Sequence, residues 1–138
     1  MRSLLLDTGV LYAIADDGDD DHRRCWDFVA AWRGRLLVPA PVVAETAWLI
    51  ERRLGPEHEG IFVDLIAGGQ LGAVDLEVQD YVRIAELIRK YADFPLGTVD
   101  ASVVAVAERL RLTEIATIDH RHFSAVQPNH VGSFTLLP

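Results

Sequence analysis

The chain has one cysteine, one lysine and no apolar run long enough to cross a bilayer, and each scarcity removes a class of protein. A lone Cys25 rules out an internal disulfide and fits a reducing cytoplasm. Its neighbours Trp26, Phe28 and Val29 make it read as a packed helical thiol, not a nucleophile. No stretch approaches the roughly 20 apolar residues of a membrane helix. Residues 1–6 briefly imitate a signal peptide, but Asp7 breaks the run and no small-residue cleavage site follows, so a buried first strand is expected. Positive charge is scarce too. Thirteen Lys and Arg face 21 Asp and Glu, a net charge of −8, which argues against tight, sequence-independent binding to nucleic acid.

The acids are unevenly spread. Asp16, Asp17, Asp19, Asp20 and Asp21 form one short run, and Asp7, Glu45, Asp100 and Asp119 stand apart from it. Without those nine the remainder carries +1. The aspartate run lacks the terminal Glu and ligand spacing of a calcium loop and reads as a solvated loop. There is no repeat, low-complexity tract or linker, and 138 residues, half of them hydrophobic, suit one domain over 1–138 with a substantial core.

Hydrophobic patterning predicts strands at about 3–6, 35–38, 71–74, 114–118 and 133–137, the last at an edge. Helices are expected through Val10, Leu11 and Ile14, then at about 20–32, 41–53, 57–67, 78–91 and 98–110, with a short turn near 120–124. The early aspartates suit the start of the second helix, Pro41 the first position of the third, and Thr98 a helix cap. Strands alternating with helices argue for a parallel sheet covered on both faces. In such sheets ligands bind beyond the carboxyl ends of the strands.

Asp7 and Asp119 follow strands, Glu45 lies about a turn into its helix, and Asp100 sits near a helix start. Taken singly, each has a structural explanation: a turn former, a solvent-facing acid or a dipole partner. Together they would gather at one rim, where like charges repel unless a cation sits among them. Hard oxygen ligands suit Mg²⁺ or Mn²⁺, and such ions suit phosphate chemistry, polarising a phosphate oxygen and acidifying a water.

Four stretches carry a family resemblance: Asp7-Thr8 after the first strand, Val42-Val43-Ala44-Glu45, Leu96-Gly97-Thr98-Val99-Asp100-Ala101, and Ala116-Thr117-Ile118-Asp119 with Phe123. In that order and at those spacings the chain resembles PIN-domain nucleases over nearly its whole length. Its size and the ending Asp119-His120-Arg121-His122-Phe123 look most like VapC-type toxins of toxin–antitoxin pairs. The resemblance implies a three-layer α/β/α sandwich on a central, mainly parallel, five-stranded sheet. It implies a Mg²⁺-dependent endoribonuclease, with Mn²⁺ able to substitute. Asp7 and Asp100 would be the principal metal ligands, and Glu45 and Asp119 would support them directly or through water. The substrate would be a tRNA or rRNA, the partner a VapB-like antitoxin, the assembly a homodimer.

Thr8 and Thr117 are candidates to orient water or phosphate, Asp93 is a candidate auxiliary acid, and Arg121 and His122 are candidate RNA contacts. For Thr98 local capping is preferred, and Phe123 reads as core. His120 and His122 raise zinc, but residues two apart on a helical turn diverge and no further ligand is evident, so zinc is disfavoured. A receiver domain would need adjacent acids after the first strand and a lysine after a late one, whereas Lys90 falls in a helix. A haloacid-dehalogenase phosphatase would need an acid where Gly9 stands. The remaining rivals are a housekeeping RNA-processing nuclease and a non-catalytic binding module on the same fold, for which Trp26, Trp32 and Trp48 offer a groove unless they pack in the core.

Overall fold

The computed structural model describes residues 2–138. Five strands, β1 (Ser3–Leu6), β2 (Arg35–Pro39), β3 (Gly72–Val74), β4 (Glu114–Ala116) and β5 (Thr135–Leu137), form one sheet in the order β3-β2-β1-β4-β5. Every pairing in it is parallel, including that of the tail strand. The first strand is central and shows no alternation: Leu4, Leu5 and Leu6 are all fully buried. A parallel strand covered on both faces requires such a continuous apolar run.

The cover comes from α1 (Thr8–Ala15), α2 (His22–Ala31), α3 (Ala40–Leu54), α4 (Pro56–Ala67), α5 (Val78–Lys90), α6 (Thr98–Leu110) and α7 (His120–Ala125), which complete the expected α/β/α sandwich. The most enclosed is α6, with every residue from Ala101 to Ala107 buried. A helix apolar on all sides belongs in a core, and its small residues (Ala101, Ser102, Ala105, Ala107) let neighbours approach closely. Its far end is held to α5: Arg109 Nε donates to the buried Asp80 carboxylate at 2.9 Å, and Arg83 Nε to Glu108 at 2.7 Å. Asp80 also accepts from the Glu77 backbone N–H, closing a capping box at the start of α5.

Several local expectations shift. α2 begins at His22, with none of the aspartates in its first turn. Asp16 instead accepts from the Gly18 N–H and Asp19 from the Asp21 N–H, local bonds that compete with helix formation. α3 opens one residue early, so Pro41 takes its second position, where a missing N–H is still harmless. Thr98 is not a cap: Gly97 holds the N-cap position in extended geometry and Thr98 is already helical. β3, β4 and β5 are each shorter than patterning suggested. Two tryptophans also depart from core packing, Trp26 and Trp48 being 48% and 53% exposed.

Entry into β2 depends on a close backbone approach. The Arg35 N–H donates to the Arg2 carbonyl at 2.9 Å, and Gly34 (φ +157°) lies so near that a Cβ would fall 2.1 Å from that same oxygen. Gly34→Ala should therefore cost about 1–3 kcal/mol as backbone is forced apart. Gly60→Ala, inside α4 with open space around it, should instead stabilise by roughly 0.5–1 kcal/mol. Urea denaturation of the two variants beside the parent checks both signs.

Candidate active site

The site grows from the pairing of β1 with β4. Leu6 is in register with Ala116, and the Asp7 N–H donates to the Ala116 carbonyl at 3.0 Å, so the first residue past β1 meets the first past β4. Those residues are Asp7 and Thr117, both buried. The Thr117 hydroxyl donates to Asp7 Oδ2 at 3.1 Å and accepts from the Asp119 N–H at 2.9 Å. One side chain thus fixes two chain ends 110 residues apart in sequence. Gly9 sits close against Ile118, where a Cβ would press on that side chain at 2.8 Å, so α1 leaves β1 tight against the β4 exit.

Asp119 is the N-cap of α7 and accepts from the His122 N–H at 3.2 Å. Asp100 is the third residue of α6, in the first turn, where the helix dipole favours a negative charge. Glu45 is the sixth residue of α3, which packs against both α1 and α6. Elements from four parts of the sequence therefore deliver one carboxylate each to the same edge of the sheet. Donor atoms of Asp100, Asp119 and His122 lie within 4.8 Å of one another.

Their mutual repulsion is visible at the most enclosed member. Asp7 is pushed up to about 7, first by burial, then by the Asp100 charge and more weakly by Glu45; the Thr8 N–H and Thr117 hydroxyl pull it the other way. Asp100 is also raised, by burial first and by Asp119 and Glu45 in addition, while His122 opposes the rise. A divalent cation meets the needs of this donor set. It supplies the positive charge that the clustered carboxylates lack, and the ligands are hard oxygens. The buried Thr8 hydroxyl, which has no hydrogen-bond partner among the described residues, adds an unused polar atom next to Asp7.

The other candidates are placed less centrally. The Thr117 hydroxyl bonds Asp7 and the Asp119 N–H. Asp93 is exposed in the turn after α5, without a hydrogen bond or ion pair among the described residues. Arg121 is exposed at the start of α7, and Phe123 is fully buried. His120 turns back to the Thr117 carbonyl at 3.1 Å, so the two histidines diverge as expected. His122 corrects the sequence reading, which gave it no close ligand partner: its Nδ1 lies 2.6 Å from Asp119 Oδ2, and its ring packs edge-on against Phe94. A signal for this existed in the sequence, because an N-cap acid and the side chain three residues on can reach each other across a first helical turn.

A parallel α/β/α sandwich with four acids at the carboxyl ends of its central strands defines a PIN-type domain. Residues 4–127 match the PIN domain family, and the chain belongs to it. Among curated relatives it is 33% identical over 135 residues to ribonuclease VapC26 of Mycobacterium tuberculosis, covering 98% of this chain and all of that one. The same fold recurs in the crystal structure of M. tuberculosis VapC20, described as a sarcin-ricin loop cleaving toxin, at a TM-score of 0.84 and 19% identity over 93% of this chain and 98% of that one. It recurs in VapBC2 of Rickettsia felis bound to a promoter DNA fragment, at 0.72 and 13% over 99% and 100%.

The raised Asp7 has a thermodynamic consequence. Between its unfolded value near 3.8 and its folded value of about 7, the folded state holds more protons. Metal-free protein therefore loses stability as pH rises through that window and stays weakened above it. Asp7→Asn, which keeps an acceptor for Thr117, should be more stable than the parent at pH 8, by a few kcal/mol at most, and should lose that advantage near pH 4. Thermal melts in chelator at the two pH values test this; equal melting at pH 8 would contradict it.

Proposed function

We propose that this chain is the toxin of a toxin–antitoxin pair, an endoribonuclease that hydrolyses RNA phosphodiester bonds at the acidic rim. The observation that carries the reading is the convergence of Asp7, Glu45, Asp100 and Asp119 at the carboxyl ends of β1 and β4, in a relative of a ribonuclease. Asp7 and Asp100 are the principal ligands of a Mg²⁺ ion, which Mn²⁺ can replace, and Glu45 and Asp119 complete the site directly or through water. An ion held by these carboxylates would supply Lewis-acid polarisation of the scissile phosphate and lower the pKa of a water. The protein's part is to hold four carboxylates in fixed positions: Thr117 orients Asp7, and the α6 N-terminus presents Asp100. No nucleophilic side chain is needed. Arg121, exposed on α7, is the candidate contact to an RNA phosphate, and Thr8, Thr117 and Asp93 are the candidate auxiliary groups.

The substrate class is structured RNA, tRNA or rRNA, in keeping with the sarcin-ricin loop cleavage ascribed to the M. tuberculosis neighbour. Such a substrate and the lone thiol suit a cytoplasmic protein, and no helix among the described residues is long and apolar enough to cross a membrane. The partner is a VapB-like antitoxin. Solved neighbours include VapBC complexes, and an apolar groove of about 480 Å³ between α1, α2 and α4, lined by Leu11, Ile14, Trp26, Ile61 and Leu65, offers an antitoxin segment a seat. Val78, Tyr81 and Val82 form an exposed stripe on α5, 81%, 59% and 57% accessible, that supports a homodimer.

Antitoxin-free protein should cleave members of a tRNA and rRNA panel in Mg²⁺ or Mn²⁺ and be silent in chelator. Asp7→Asn and Asp100→Asn should each lose at least about 100-fold in rate. Cleavage without metal, or unchanged in both variants, would refute the assignment. Ile61→Asp should leave cleavage intact while weakening antitoxin binding by roughly 30-fold or more, the scale of a hot-spot loss; titration calorimetry with the antitoxin measures it.

A further inference from the structure

Resting on the reading of the rim as a cation site, we propose that His122 is itself a metal ligand, making Asp100, Asp119 and His122 a position that takes a divalent transition-metal ion, Mn²⁺ in preference to Mg²⁺. The three donor atoms lie within 4.8 Å of one another. Donors bound to one ion at about 2.1 Å stand about 3 Å apart when adjacent and about 4.2 Å when opposite, so the spread needs only small adjustment to become one coordination sphere. Three different attachments bring the donors together: Asp100 from the first turn of α6, Asp119 from the cap of α7, and His122 from one turn further along α7.

The imidazole is held for this task. Phe94 packs edge-on against it at 5.0 Å between ring centres, and Asp119 Oδ2 faces Nδ1 at 2.6 Å. A ring that served only as the RNA-facing surface of α7 would point outward, whereas this side chain is only 25% exposed and turned to the acids. Asp100, Asp119 and His122 would hold the ion, the imidazole supplying the one nitrogen donor among carboxylate oxygens. The chemical consequence follows from donor type. Carboxylates and water suit Mg²⁺, while an imidazole nitrogen raises affinity for first-row transition ions much more than for Mg²⁺.

The test uses the full chain loaded with Mn²⁺ and read by pulsed electron paramagnetic resonance and by calorimetry, with no RNA present. The parent should show modulation from a directly bound ¹⁴N nucleus and bind Mn²⁺ at least about tenfold more tightly than Mg²⁺. His122→Gln should lose the ¹⁴N signal and about tenfold in Mn²⁺ affinity, while its Mg²⁺ affinity stays within about twofold. Mn²⁺ bound by the parent without a ¹⁴N signal overturns this inference and leaves the rim reading standing. So does a parallel fall of both affinities in His122→Gln, since the histidine would then only orient Asp119. A parent that binds no Mn²⁺ removes both readings.

Discussion

The parallel pairing of β1 with β4 is the constraint on which everything else in the molecule hangs. It sets Asp7 beside Thr117 and so turns two distant apolar runs into the floor of one site. Because β1 is the central strand, with β2 on one side and β4 on the other, the chain leaves the sheet in opposite directions from neighbouring strands and a crevice opens between the departures. The remaining acids are brought to that crevice by helices packed on it. α6 is buried from Ala101 to Ala107 and cannot slide without disrupting the core, which fixes Asp100 at its mouth. Its ion pairs to α5 at the other end anchor it along its axis.

Such a rim is a store of electrostatic cost. A buried Asp7 close to two further carboxylates is comfortable only when protonated or facing a cation. The fold tolerates this because the rest of the sheet is uncompromised: β1 is leucine throughout its last three positions and the covering helices are well seated. The same carboxylates also account for part of the net charge of −8 that, taken alone, argues against an RNA partner. A cation bound among those carboxylates would offset that part of the bulk charge.

The layering was legible because β/α alternation and continuous apolar strands leave few arrangements open, and the order of strands then follows from short parallel crossovers. The four acids were legible for a related reason: Asp7 and Asp119 follow apolar strands, Asp100 opens an apolar helix and Glu45 interrupts one, all poor places for a charge without a purpose. Glu45 is the instructive case, an acid set among Val42, Val43, Ala44 and Ala47. What escaped the sequence depended on side-chain direction or on tertiary cover. The spacing of His122 from the cap acid Asp119 is visible in the sequence, but its approach to Asp100 on another helix depends on tertiary packing. Trp26 borders an open apolar groove and Trp48 lies under the Arg52 guanidinium, so both rings stay half-exposed despite a residue type that usually packs away. Gly97 takes the cap in place of Thr98, glycine and threonine being about equally acceptable at that position.

The hydroxyl of Thr117 gives its one proton to Asp7 and takes one from the Asp119 backbone. Both duties are performed by a single atom in a space closed to water. Valine would fill the same volume and do neither; cysteine would do both poorly, with a longer bond and a weaker donor. Only serine shares the needed chemistry. The choice at this position is therefore set by the direction of hydrogen bonds and not by size: the backbone keeps the two strand ends in step whatever stands here, but without a hydroxyl the Asp7 carboxylate and the turn to Asp119 lose the atom that ties them together.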